Sequence, residues 1–200
     1  NESIKFETYI TKELVEYIDL NYPTLKNRDS RGITGLSMGG QGALYLAIQH
    51  KDVFGVAGST SGGVDIRDFP NNWEIKTLIG EKRKNRKVWN KFSIFNQIEK
   101  LNDGDLKLII DCGSEDFFFE VNNNFHKKLM KLGINHDYIV RPGEHNLEYW
   151  NNSIEYQLLF FKNNPHNLTF LCKVVGIVIY IHCKGKFTLH SLRGKLYQTE

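Results

Sequence analysis

Two hundred residues, 40% apolar and 24% charged, suit one ordinary globular domain that can bury a core without disulfides. A net charge of +3 is too small to argue for a nucleic-acid partner. The three cysteines, Cys112, Cys172 and Cys183, are odd in number and irregular in spacing, which excludes a disulfide framework, a zinc ribbon and a redox motif.

The chain opens at Asn1 with no charged stretch leading into an apolar run, so no signal peptide is visible. A processed protein would look the same, so cytoplasmic, periplasmic and secreted locations all stay open. The first element is an amphipathic helix: Phe6, Ile10, Leu14 and Ile18 recur every four residues, with Glu7, Lys12, Glu13 and Glu16 on other faces. Proline disfavours its continuation at Asn21-Tyr22-Pro23. Gly32 to Leu36 reads as a short buried strand, Ala43 to His50 as a helix, and Val53 to Ser59 as a second strand running into Ser61-Gly62-Gly63. From Asp65 to Asp103 the periodicity weakens and the residues read as an insertion of short helices and loops, with a basic run from Lys82 to Lys87.

Leu106 to Asp111 is a nearly uninterrupted apolar strand, the pattern of a strand covered on both faces. Phe117 to Leu132 reads as a helix capped by Gly133, and His136 to Val140 as a further strand. Pro142-Gly143-Glu144-His145 is a loop, and Leu147 to Phe161 the next helix. Strands alternating with helices predict an α/β domain with a mainly parallel sheet flanked by helices. The tail from His166 to Glu200 breaks this pattern. Its two apolar segments, Val174 to Ile181 and Phe187 to Leu192, are separated by Lys184-Gly185, giving either an appended hairpin or a poorly ordered extension. Its longest apolar run, Leu168 to Cys183, is shorter than the roughly 20 residues of a membrane span and contains Lys173.

Gly35-Leu36-Ser37-Met38-Gly39 matches G-x-S-x-G, with a strand before it and a helix after it. A serine on a sharp strand-to-helix turn presents its hydroxyl at a helix N-terminus, where developing negative charge is favoured. Residues two positions either side must be tiny, which Gly35 and Gly39 satisfy, and the Met38 backbone N–H would supply an oxyanion donor. The order for this arrangement is serine, acid, histidine. Asp116 follows the strand ending at Asp111, and His145 follows the strand ending at Val140, both at the sheet edge where active sites gather. Asp111 ends its strand and is expected to brace the loop; Glu115 would point away, and Glu144 would sit at the rim. His50, His126, His136, His166, His182 and His190 lie on helices, in a strand or in the tail, with no convincing metal-ligand spacing. Cys172, His182 and Cys183 are the nearest approach to a ligand group.

These residues also carry a resemblance. Gly35 to Ala43, Gly113-Ser114-Glu115-Asp116, and Pro142-Gly143-Glu144-His145 with Tyr149-Trp150 resemble the putative esterase (esterase D-like) family of α/β hydrolases, which includes feruloyl and acetyl-xylan esterases, S-formylglutathione hydrolases and mycolyltransferases. The likeness runs from about Phe6 to about Asn164. It implies a partial α/β-hydrolase fold, a catalytic portion over 1–164 with the insertion at 65–103, and an appended tail over 165–200. It further implies a serine carboxylic-ester hydrolase that needs no cofactor and no metal, with Ser37, Asp116 and His145 as its triad. Members of that family carry a long N-terminal portion supplying further strands and the second oxyanion donor. The present chain is expected to be a fragment whose open sheet edge could pair with a second copy.

The expected substrate is an acylated carbohydrate, feruloyl or acetyl, or another small ester, with no nucleic-acid or membrane partner. A thioester such as S-formylglutathione is the alternative within the same chemistry. Trp73, Trp89, Phe92 and Phe95 either form an apolar wall for the substrate or pack the insertion. The competing class is a non-catalytic interaction module, in which Lys82, Arg83, Lys84, Arg86 and Lys87 bind an anionic partner instead of forming a solvated loop.

Overall fold

The computed structural model describes residues 6–164, 178–181 and 187–190. Four short segments pair in parallel in the order β1-β2-β3-β4: β1 (Gly32–Ile33), β2 (Val56–Thr60), β3 (Lys107–Gly113) and β4 (His136–Arg141). β2 and β3 are buried along nearly their whole length, as expected of strands covered on both faces. A separate antiparallel pair, β5 (Val178–Ile181) with β6 (Phe187–His190), falls within the two apolar segments of the tail. The expected turn at Lys184-Gly185 lies outside the described residues.

Helices cover both faces. α3 (Met38–Gln49), α6 (Ile94–Gln97) and α7 (Phe119–Leu132) pack on one side, where Leu44, Ala47, Ile94, Phe125 and Leu129 meet Ala57, Leu108, Ile110 and Cys112. α8 (Leu147–Asn163) covers the other, where Phe160 and Phe161 meet Val56 and Ile109. Alternate β3 residues therefore point to opposite layers, as strand geometry requires. α7 ends as expected at Gly133, whose φ of +67° suits glycine, with the Ile134 N–H returning to the Leu129 carbonyl.

The first strand is shorter than expected, ending at Ile33, the second begins at Val56, and two helices change more. The first helix is not uniform: an α-turn α1 (Phe6–Thr8) leads into a π-helical turn over Tyr9–Glu13 and then α2 (Leu14–Asn21). A strict four-residue repeat drifts around a helix of about 3.6 residues per turn, and the wider π turn takes up part of that drift. Ile10, Thr11 and Ile18 are buried as a result, while Phe6 stays 53% exposed. The helix expected from Ala43 begins instead at Met38, so Gly39, Gly40 and Gly42 are helical. A Cβ on Gly40 would lie 2.5 Å from the Ser59 hydroxyl, so the missing side chain lets α3 sit against β2.

The segment expected as an insertion, 65–103, holds the short helices α4 (Ile75–Ile79), α5 (Arg86–Phe92), which carries Trp89, and α6. Its basic run is mostly solvated: Arg83, Arg86 and Lys87 are exposed, Lys84 pairs with Glu81 at 3.0 Å, and Lys82 donates to the Arg67 carbonyl. Among the described residues no helix is long and apolar enough to cross a membrane.

Candidate active site

β1 and the bridge from Leu36 to Thr60 deliver the chain to Ser37, where it turns sharply into α3. Ser37 has φ 54° and ψ −121°, a conformation unfavourable for any residue with a Cβ. Its N–H donates to the Thr60 carbonyl at 2.9 Å, which ties the turn to β2. A Cβ on Gly35 would sit 2.4 Å from the Gly39 carbonyl carbon, so glycine there is a steric requirement. The Met38 N–H has no protein acceptor among the described residues, which leaves it free to receive an oxyanion beside Ser37.

Three loops converge beyond the C-terminal ends of β1, β3 and β4. The His145 Nε2 lies 2.9 Å from the Ser37 Oγ, and its Nδ1 lies 2.8 Å and 3.0 Å from the two Asp116 oxygens. A carboxylate accepts only, so Nδ1 carries the hydrogen and Nε2 presents its lone pair to the serine hydroxyl. The Asp116 side chain is wholly enclosed, and the Phe118 N–H also donates to its Oδ1 at 2.8 Å. That second bond fixes the carboxylate plane.

The acid and base loops are fastened to each other. The Ser114 N–H donates to the Arg141 carbonyl, the Glu115 N–H to the Gly143 carbonyl, and the Gly143 N–H to the Glu115 carboxylate at 2.8 Å. Glu115 thus points away from the triad, as expected, and serves as a clamp. A Cβ on Gly113 would lie 2.1 Å from the Gly143 oxygen, so this contact needs glycine. Asp111 braces the same loop from behind. Its carboxylate accepts from Arg141 at 2.7 Å and from the Tyr149 hydroxyl, and the Arg141 guanidinium lies over the Tyr149 and Tyr156 rings. Burial raises the Tyr149 pKa and the Asp111 carboxylate adds to it, so the phenol stays a proton donor.

Aromatic rings surround the imidazole. Phe117 lies 4.3 Å from the His145 ring centre, and Trp150 stands edge-on at 4.8 Å. Trp73 continues this surface through Phe117 and Phe118 and is 46% exposed, so it stands where a substrate can reach it. Trp89 does not. It is fully buried, its indole donates to the Gly80 carbonyl at 2.9 Å, and it packs the insertion instead of forming a substrate wall. Phe92 packs on Tyr45, and Phe95 lies under the Lys128 ammonium. Sequence reasoning passed over Phe117 and Phe118; the signal was the aromatic run Phe117-Phe118-Phe119 directly after the acid. Cys172, His182 and Cys183 lie outside the described residues.

A parallel sheet between helices, with a serine on a strained strand-to-helix turn and an acid and a histidine on later loops, defines the α/β-hydrolase class. The chain belongs to the family described as "Putative esterase", whose model matches residues 1–161. It is 25% identical over 169 residues to an acetyl esterase of Caldicellulosiruptor saccharolyticus, an alignment covering 74% of this chain and 60% of that one. It is 29% identical over 112 residues to an S-formylglutathione hydrolase of Arabidopsis thaliana, covering 56% of this chain and 38% of that one. A solved ferulic acid esterase superposes with a TM-score of 0.67 at 26% identity, covering 81% of this chain and 62% of that one. The chain therefore spans about 60% of the length of the acetyl esterase it matches.

Proposed function

We propose that this chain carries the catalytic centre of a serine carboxylic-ester hydrolase working through an acyl-enzyme. The observation that carries the reading is the unbroken relay from the Ser37 hydroxyl through His145 to the enclosed Asp116 carboxylate. His145 Nε2 takes the serine proton as Oγ attacks the ester carbonyl, and Asp116 holds the tautomer and stabilises the imidazolium. The carbonyl oxygen becomes an oxyanion facing the Met38 N–H at the start of α3. The imidazolium then protonates the leaving alcohol. Water, deprotonated by the same histidine, releases the acid and restores the serine.

The substrate we favour is an acylated carbohydrate, feruloyl or acetyl, or a similar small ester. Supporting it are the similarity to an acetyl esterase and to a ferulic acid esterase, and the exposed aromatic shelf of Trp73 and Phe117 beside His145. The similarity to the plant S-formylglutathione hydrolase keeps a thioester as the second reading. A pairing of two copies along the edge strand β1 remains part of this proposal.

The test is labelling with a fluorophosphonate probe. Labelling of the parent and its loss in Ser37→Ala support the enzyme; an unlabelled but folded parent assigns the chain to a non-catalytic role. Turnover of p-nitrophenyl acetate, a feruloyl sugar and S-formylglutathione then ranks the substrates.

A further inference from the structure

We propose that His126 and His136 form a two-imidazole chelate for a late first-row divalent cation, copper(II) foremost, then nickel(II) and zinc(II). The site is separate from the triad. His136 opens β4, five residues before Arg141 at its other end, so it lies roughly 17 Å along the strand from the start of the base loop.

The His126 Nδ1 on α7 lies 2.8 Å from the His136 Nε2 on β4. The other His136 nitrogen, Nδ1, lies 2.8 Å from the Ile134 carbonyl. A carbonyl accepts only, so Nδ1 carries the hydrogen and Nε2 presents a lone pair toward His126. A backbone carbonyl on the far nitrogen is the orienting contact that metal-binding histidines use. The His126 ring is held as well, stacked on Tyr138 at 4.4 Å and 15°. Both rings are half-buried, so water and ions reach them.

Metal binding needs a small and balanced change. The His126 proton passes through solvent from Nδ1 to Nε2, and the imidazole stays neutral. Cis positions of a tetragonal copper(II) set two nitrogens about 2.8 Å apart, close to the separation already present, and a tetrahedral zinc(II) with bonds of about 2.0–2.1 Å sets them about 3.3 Å apart. For either ion the two rings turn so that their lone pairs meet to one side of the line joining the nitrogens, and zinc(II) also needs the pair to open by about half an ångström. The neighbouring Lys127 opposes the arriving cation. Among the described residues no group of three or more His, Cys, Asp or Glu side chains could hold a metal ion, so water completes the shell. Two imidazoles and water select copper(II) over nickel(II) and zinc(II), and offer little to magnesium or calcium. The bound ion would tie α7, which follows the acid loop, to β4, which leads into the base loop.

The experiment adds copper(II) to the whole chain and records its electron paramagnetic resonance spectrum, with thermal melts in copper, nickel, zinc and magnesium chlorides. The expected spectrum shows two coordinated nitrogens. The melts should rise by a few degrees with zinc or nickel and not with magnesium, because an ion bound to the native state stabilises it. His126→Gln and His136→Gln should each remove one nitrogen and the stabilisation. Fewer than two nitrogens in the parent overturns the proposal. So does a spectrum unchanged in the His126→Gln/His136→Gln double variant, which would assign the ion to other donors such as Cys172, His182 and Cys183.

Discussion

On the α3 and α7 side of the sheet, Leu44, Ala47, Phe125 and Leu129 press on Leu108, Ile110 and Cys112, and shape alone holds them. On the α8 side the contacts change character along the helix. Phe161 packs on the sheet, but one turn earlier Gln157 accepts from Thr34 at 2.9 Å. A further turn earlier Ser153 meets Thr60 at 3.0 Å, and then Tyr149 donates to Asp111. The next step of four residues reaches His145. Polarity thus rises along α8 toward the chemistry. Apolar packing is stabilising but indifferent to small rotations, whereas hydrogen bonds fix direction. The first layer carries stability, and the second aims the base.

The sharpest way to test that division is to damage each layer and read stability and chemistry separately. Ile110→Ala removes a fully buried side chain from the apolar layer and should cost about 4 kcal/mol in denaturant unfolding. At temperatures where the variant is still folded, its fluorophosphonate labelling rate should match the parent's. A slowed rate in folded protein would show that this layer also aims the base.

Arg141→Ala works from the other side. It leaves the enclosed Asp111 carboxylate with Tyr149 alone, at a cost of about 3 kcal/mol. Here the labelling rate of folded protein should fall about tenfold or more, because displacing the base loop moves His145 from the serine. Loss of stability with an unchanged rate would reduce the Asp111 brace to ordinary packing.

The insertion adds an ion pair against the apolar layer. Burial works to raise the Asp65 pKa, but its bonds to Arg67 and to Ser93 hold it below the ordinary 3.8. A depressed carboxylate stabilises fully above its unfolded pKa, and that contribution is lost as pH falls through the folded value. Asp65→Asn should cost roughly 1.5 kcal/mol at neutral pH, discounted for solvent at Arg67. Its stability should then fall less steeply than the parent's below pH ~4. Parallel acid-unfolding curves would sink this assignment.

Much of this was legible in the residues. The strand at Lys107–Gly113 announces itself through the apolar run Leu108-Ile109-Ile110, and the elbow, acid and base follow from spacing and chain order. What escaped was whatever depends on partners distant in sequence. Gln157 looks like a surface residue until Thr34, 123 positions away, is found beside it. Trp89 reads either as a substrate wall or as packing of the insertion until Gly80 takes its indole hydrogen. His126 and His136 share no ligand spacing because one comes from a helix and the other from a strand. The π turn escaped because a four-residue repeat alone does not show how the backbone absorbs the drift.

The contact between Thr34 and Gln157 discriminates best between the layers. Thr34→Val leaves the buried Gln157 oxygen without its donor, beside a Gln157 nitrogen that has no partner among the described residues, and should cost about 1–2 kcal/mol. Adding Gln157→Leu removes both ends of the contact in nearly the same volume. If the bond serves direction more than stability, the double variant should recover to within about 0.5 kcal/mol of the parent. The tight approach of Gly58, where a Cβ would meet the Gln157 oxygen at 2.0 Å, limits that recovery, so Leu must adopt a rotamer that clears the strand. Labelling should nonetheless slow modestly, since Gln157 stands two turns from Tyr149 on the face that carries the brace. A double variant no more stable than Thr34→Val would mean that the polar stripe itself holds α8 to the sheet, and the two layers would then differ in composition but not in task.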